Sequence, residues 1–482
     1  MHLRAWVERE RAHAERAGLI VAGGLAALLV WSRLAFLDGS FWHDESYTVV
    51  NYVNEGPVEI LAGEYLPNNH ALFNLLAWAT TNRLGRFEAA YRVWSVLPAI
   101  AAVALVAVWA WRRFGRAAGL SVAGLMVFAP VHMDLAPQAR GYGIGFLSAA
   151  AMLVAADRAA RTAETRAFVW FGAAAVVGIW TLPPLALPAV GHGIVLAARP
   201  ATRRKAIAAV VATGTASVAF YAPVLTSVLS RSQDDYESGP MTFPEMLTSW
   251  YYDVARPTVD AAVPDGVSRG GVLLALVALA LVAALWHLAR AGEQLLALNL
   301  AVPVAFTFVA YWVARFYYFD RFSSFLLVYV AVAIALGLAS IWDGARAFAL
   351  LRATLAVVAA VAIVAGTNSV VAQARRLPHE NFQLVGELVR RSGIDEVVAS
   401  TARPAGLEYY VGKRRFTRVQ FRGAEQVVCT KAAPFVYVVH QAFAPRVVDT
   451  SCLERRGAAH IRVRQNTRGP VDVWIVTVTP RA

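Results

Sequence analysis

Long apolar runs separated by short arginine-bearing connections fill the first three quarters of the chain. They fall near residues 19–37, 93–111, 117–133, 143–157, 167–182, 184–198, 206–224, 271–288, 295–313, 323–341 and 350–366. Most approach the length a helix needs to cross a hydrocarbon layer roughly 30 Å thick, so the pattern predicts about eleven transmembrane helices. A further apolar stretch, 70–81, is shorter and rich in Asn and Thr; it is expected to lie on the membrane surface as an amphipathic or re-entrant helix. From about residue 372 the pattern changes. A helical period over 381–391 alternates with strand-like runs at 396–400, 435–440, 460–464 and 471–479, which predicts a small α/β domain.

Composition agrees with a membrane protein. Of 482 residues, 58% are hydrophobic and only 16% charged, and the mean hydropathy is +0.49. The net charge of +13 invites a nucleic-acid reading. The arginines nevertheless come in short clusters between apolar runs, with no basic helix or aromatic-studded basic groove, and membrane topology accounts for that pattern better.

The positive-inside rule then orients the chain. If 70–81 does not cross, the inner side collects the N-terminal arginines, Arg112, Arg113, Arg116, Arg158, Arg161, Arg166, Arg199, Arg203, Arg204 and Lys205, then Arg290, Arg346 and Arg352. The outer side collects acidic loops at 38–92 and 225–270. The first run is long for a signal peptide and lacks a clear small-residue cleavage site, so it is read as a retained span. The expected organisation is a cytoplasmic segment 1–18, a membrane domain 19–370 and an extracytoplasmic α/β domain 371–482, in the cytoplasmic membrane of a cell. Cys429 and Cys452 both fall in that last domain, where they are either a disulfide or two buried thiols.

This topology brings distant polar clusters to the same outer interface. They are His43-Asp44-Glu45, Asn68-Asn69-His70, His132 and Asp134 with Gln138-Ala-Arg140-Gly-Tyr142, and Arg315-Phe-Tyr317-Tyr318-Phe-Asp320-Arg321. Adjacent carboxylates at the lip of a membrane span are costly and point to function. A carboxylate at an apolar boundary holds its proton more readily, and a neighbouring carboxylate adds to this, so one of a pair is poised as a base. Arginines suit a phosphate, which their rigid fork binds bidentately. A base and a phosphate clamp at an outer membrane surface suit a substrate made of a lipid tail, a phosphate and a transferable group.

Several motifs succeed one another in a telling order. They are Trp42-His-Asp44-Glu45 after span one, Pro67-Asn-Asn-His70-Ala-Leu-Phe-Asn74 in the same loop, Arg92-Val-Trp-Ser95 opening span two, Ala136-Pro-Gln138-Ala-Arg140-Gly-Tyr142 after span three, and Asp320-Arg321-Phe322 opening the tenth. This order resembles the GT-C superfamily of polyprenyl-phosphate-sugar-dependent glycosyltransferases over about residues 15–345. The resemblance is especially to the bacterial relatives of protein O-mannosyltransferases, aminoarabinose transferases and the lipopolysaccharide core transferases of rhizobia. The resemblance implies an all-α polytopic membrane fold and transfer of a sugar, with inversion, to an acceptor glycan, lipid or protein of the cell envelope.

It also implies roles for particular residues. Asp44 is the general base and Glu45 supports it or binds a cation or acceptor. Arg140, Tyr142 and the acidic Asp134 lie near the donor and Arg321 contacts its phosphate; apart from the resemblance, His43, His70, Asn69, Asp134 and Tyr318 are read from their place at the same outer interface as residues around the reacting groups or at the acceptor. Phe322 stands where many members have tyrosine, which leaves the phosphate role there to Arg321, with Tyr317 or Tyr318 as substitutes for the lost hydroxyl. Related families divide on metals. A divalent cation (Mg, Mn or Ca) at Asp44 and Glu45 stays open, and no cysteine-histidine spacing indicates zinc.

Two other classes compete. A lipid-linked-sugar flippase would place ionisable groups in mid-span and show two similar halves, and neither is present in the sequence. A non-catalytic envelope-binding anchor would leave the outward clusters without a purpose. The stretch 241–252 is either a lid lying across the site or a solvated loop.

Overall fold

The computed structural model describes residues 2–63, 66, 68–225, 241–257, 281–282, 284–286, 288–314, 320–345, 349–376, 380–401, 404–412, 416–422, 424–440, 448–464 and 471–478. Among the described residues, seven helical segments are long and apolar enough to cross a membrane: Glu15–Leu34, Glu88–Phe114, Tyr142–Thr162, Pro200–Val224, Gln294–Ala314, Arg321–Gly344 and Arg352–Ala374. Three shorter apolar helices, Arg116–Phe128, Thr165–Thr181 and Pro183–Ala198, occupy three more of the predicted runs. The protein is a multi-pass membrane protein. Of the run 271–288, only 281–282, 284–286 and 288 are described, all of them helical. The stretch 70–81 forms the 14-residue helix Ala71–Leu84, which is not among the helices long enough to cross.

The chain folds as two compact units. The first comprises Met1–Phe36, Leu61–Leu76 and Arg92–Ala374. In lipid there is little hydrophobic force between helices, so close packing of small residues and buried polar contacts holds them together. Helix Tyr142–Thr162 packs through Ala149, Ala150, Ala156 and Ala159, all fully buried. Gly143 lies so near the second span that a Cβ there would sit 1.8 Å from the Ser95 carbonyl oxygen. Gly143→Ala is therefore expected to lower stability by about 1–3 kcal/mol through overpacking. An unchanged thermal unfolding midpoint in detergent would sink that expectation.

Buried polar contacts complete this unit. His192 lies between Asn299 (Nδ1 to Oδ1, 2.8 Å) and the Tyr329 hydroxyl (3.1 Å), tying three helices together. Arg33, hidden inside the first apolar run, is fully buried. It donates to the carbonyls of Met126 (3.3 Å) and Val127 (3.1 Å) and to His132 Nδ1 (2.7 Å). Those carbonyls end helix Arg116–Phe128, where a cation offsets the negative end of the helix dipole. The stretch 241–252 is not a solvated loop: it contains helix Phe243–Trp250, which buries Met246 and Trp250. The Trp250 indole donates to the Ser323 carbonyl (3.4 Å).

The second unit comprises Leu37–Ile60, Ala77–Tyr91 and Arg375–Ala482. Its sheet contains β1 (Val397–Ser400), β2 (Phe416–Arg418), β3 (Phe435–His440), β4 (Ala459–Val463) and β5 (Val471–Val476) in the order β2-β1-β3-β5-β4. The pairs β2-β1 and β1-β3 are parallel, and β3-β5 and β5-β4 antiparallel. Strands β1 and β3 are buried along their whole length, as central strands covered on both faces must be. Helix Phe382–Ser392 begins at Asn381, whose side chain accepts from the Leu384 amide (3.4 Å), and ends at Gly393 in the left-handed region.

Cys429 and Cys452 form a disulfide across 5.7 Å between Cα atoms, so the disulfide alternative holds and the two-thiol alternative does not. Alkylation of the unfolded protein is expected to add mass only after reduction; addition without reductant overturns the pairing.

Candidate functional site

The acid pair belongs to the second unit. After a turn and bend that end at Gly39, Trp42 is extended and helix His43–Thr48 starts at once, running on into a wider π-helical turn, Val49–Val53. Glu45 closes the helix start: its Oε2 accepts the Trp42 amide at 3.2 Å. The Asp44 carbonyl accepts from the Thr48 hydroxyl (2.9 Å). Both acids are buried, and the pair is thereby differentiated, with Glu45 committed to the helix start. His43 lies edge-on to Tyr47 with ring centres 6.3 Å apart.

Residues from the C-terminal segment hold the entering chain. The Phe41 amide donates to the Tyr410 hydroxyl (2.8 Å), and the Gln383 amide donates to Ser40 Oγ (3.2 Å). The Phe41 ring packs on Tyr409 (5.0 Å) and Tyr91 (5.6 Å). The backbone leading to Asp44 is fixed by at least two hydrogen bonds and an aromatic cluster.

The first unit gathers a separate cluster. Arg140 is fully buried, donates to Asn68 Oδ1 (2.8 Å), and has its guanidinium carbon 5.0 Å from the Tyr142 ring centre. His70 is also buried, its ring 5.5 Å from that of Tyr142. His70 Nδ1 lies 3.2 Å from the Thr181 carbonyl. A carbonyl can only accept, so Nδ1 carries the proton and Nε2 presents a lone pair. That Nε2 is buried with no hydrogen-bond partner among the described residues.

Burial first, and then the nearby charge of Arg140, hold the His70 pKa well below the ordinary histidine value, with a smaller contribution from Arg321 and opposition from the Thr181 carbonyl. His70 is therefore neutral at physiological pH, with an electrostatic coupling to two arginines. Gly141 allows this approach: a Cβ there would meet Thr181 Cγ2 at 2.2 Å and His70 Nδ1 at 3.1 Å.

The remaining expected residues are more dispersed. Asn69 is buried just before helix Ala71–Leu84, its Oδ1 accepting from Asn74 Nδ2 (3.0 Å), while its neighbour Asn68 meets Arg140. Exposed Asp134 accepts from Gln373 through Oδ1, and its carbonyl accepts from Gln138 (2.9 Å). Arg321 opens the 3₁₀ turn Asp320–Leu326, its guanidinium 5.8 Å from the Phe322 ring centre. Tyr317 and Tyr318 lie outside the described residues. Arg92, from the quoted motif opening span two, ties its helix to the end of span one by donating to the Phe36 carbonyl (2.7 Å). Thr181 and Gln373, unremarkable in sequence, meet the candidate residues only through folding.

Among the described residues no three His, Cys, Asp or Glu side chains converge as a metal-ligand set.

Neither a protein-family model nor a curated protein matches the chain by sequence. Solved structures do match by fold. The crystal structure of ArnT from Cupriavidus metallidurans bound to undecaprenyl phosphate superposes with a TM-score of 0.59 at 12% identity, covering 96% of this chain and 99% of that one. The archaeal oligosaccharyltransferase AglB from Archaeoglobus fulgidus, in complex with an inhibitory peptide and a dolichol-phosphate, gives 0.55 at 12% identity, covering 89% and 70%. Another crystal structure of the Archaeoglobus fulgidus oligosaccharyltransferase, with Zn and sulfate, gives 0.53 at 13% identity, covering 92% and 72%. The fold is that of the GT-C glycosyltransferases, an all-helical membrane fold here followed by a small five-stranded α/β domain.

Proposed function

We propose that the protein is a membrane glycosyltransferase that moves a sugar from a polyprenyl-phosphate donor to an envelope acceptor at the outer face of the cytoplasmic membrane. The observation that carries this reading is the fully buried Arg140, seated over Tyr142, bonded to Asn68 and beside the buried His70 ring that packs on the same tyrosine. A buried guanidinium at the start of a membrane helix suits an anionic ligand whose tail lies in lipid. Two of the fold neighbours hold such a ligand, undecaprenyl phosphate in one and a dolichol-phosphate in the other, which supports the same donor class here.

In this reading Arg140 and Arg321 hold the donor phosphate and Tyr142 shapes its seat. The His70 lone pair accepts a hydrogen bond from a sugar hydroxyl. Asp44 takes the proton as the acceptor oxygen attacks the anomeric carbon. The bond from that carbon to the phosphate oxygen breaks, and polyprenyl phosphate leaves with the electron pair, inverting the anomeric centre. His43, Asn69, Asp134 and Tyr318 are assigned to the surroundings of the acceptor. The acceptor is a glycan, lipid or peptide, a peptide being among the ligands of the fold neighbours.

The N-terminus is assigned to the cytoplasm and residues after about 371 to the outside, which the disulfide supports. After reduction, an impermeant maleimide added to intact cells is expected to label Cys429 and Cys452. The activity is tested by reconstituting the full chain in vesicles with labelled polyprenyl-phosphate sugars and envelope extract. Polyprenyl phosphate and a labelled acceptor are expected together; persistence of every donor overturns the reading.

A further inference from the structure

A cleft of about 630 Å³ opens within the second unit. That volume lies in the roughly 300–1,000 Å³ range of small-molecule sites. Its aromatic wall is Tyr409 and Tyr410, which pack edge-on at 4.8 Å. Its polar rim alternates charge: Arg86 and Arg390 stand among the carboxylates of Glu55, Glu88 and Glu408.

Amide groups complete the lining. Asn54 accepts the Tyr91 hydroxyl (2.8 Å) at the cleft wall, and Gln383 adds a second amide. Three acids against two arginines make the rim a poor seat for a polyanion. Flat tyrosine rings offer a face to the C–H side of a sugar ring, and planar carboxylate, guanidinium and amide groups bridge neighbouring hydroxyls.

We infer that this cleft is a saccharide-binding subsite that takes the hydroxyl-rich, uncharged glycan portion of the acceptor. The inference rests on the glycosyltransferase reading for the word acceptor, but not for the chemistry of the cleft. The same tyrosines give the cleft a route to the acid pair inside one unit. Tyr410 holds the Phe41 amide and Tyr409 packs on the Phe41 ring, and Phe41 is three residues before Asp44. A saccharide pressed against the tyrosine wall would therefore bear on the segment that carries the base.

The test uses the full-length protein in nanodiscs, titrated with uncharged glucose, galactose and mannose trisaccharides and followed by saturation-transfer NMR. Saturable binding is expected for at least one trisaccharide. Glu408→Gln and Arg390→Gln, changes at the rim, are each expected to weaken it about tenfold, the loss of one charge-assisted hydrogen bond. Tyr409→Ala is expected to weaken it further, and a thermal melt separates that effect from unfolding.

Absence of saturable binding, or equal binding by the wild type and both rim variants, overturns the inference. Displacement of the trisaccharide by a short-chain polyprenyl-phosphate sugar also overturns it, because the cleft then serves the donor. A separate titration with polyprenyl phosphate alone decides the donor reading independently.

Discussion

Asp44→Asn is expected to lower transfer by about 10²–10⁴-fold, the range that a positioned general base contributes, while the protein folds, inserts and binds polyprenyl phosphate as before. The substitution keeps the shape of the side chain and removes its ability to take a proton. Its neighbour provides the internal comparison. Glu45 closes the helix that starts at His43, so Glu45→Gln is expected to lower stability by about 1 kcal/mol, the usual scale of a lost helix cap, and to lower turnover less than Asp44→Asn does. The measurements are turnover with a labelled polyprenyl-phosphate sugar and thermal unfolding of each variant. Near-normal turnover by Asp44→Asn would sink its assignment as the base, and the reverse ranking of the two variants would transfer the role to Glu45.

Arg140→Gln is expected to weaken polyprenyl-phosphate binding by roughly 100-fold, because it removes the buried charge proposed to hold the phosphate. Arg140→Lys keeps the charge and loses the rigid fork, so it is expected to fall between wild type and Gln. Arg140 is fully buried and bonded to Asn68, so a loss of folding has to be told apart from a loss of affinity. Asn68→Ala removes that contact with the protein and leaves the guanidinium in place. A structural role predicts similar losses of stability in both variants with the affinity of Asn68→Ala close to wild type; a phosphate role adds an affinity loss confined to the arginine variants. Equal polyprenyl-phosphate affinity in the wild type and Arg140→Gln overturns the role.

The membrane fold was legible because its signal repeats: a run long enough to span lipid is visible wherever it occurs, and ten of the eleven runs coincide with helices. Arg33 was not legible, since it sits in one such run and its carbonyl partners are some ninety residues away. The site was legible in residue types and less so in partners. The Asn-Asn-His run announced itself, yet the Thr181 backbone carbonyl that fixes the His70 tautomer has no side-chain signature in sequence. Likewise the two adjacent acids are equivalent as letters, and only the backbone conformation of Trp42 shows that Glu45 serves the helix start. The boundary near residue 371 was visible as a change of pattern. Segments 37–60 and 77–91 carry no comparable mark, although they fold with the C-terminal segment 375–482.

The Tyr410 hydroxyl that receives the Phe41 amide makes the chain hard to divide. A protein engineer reading it as a membrane enzyme with a detachable tail would cut near residue 374, and the shortened product would lose the bracing of the loop that bears Asp44. The excised tail would in turn bare Tyr409 and Tyr410 to water, a sticky patch in a fragment meant to be soluble. Chimeras are better exchanged as three pieces together, 37–60, 77–91 and 375–482, than at any single junction.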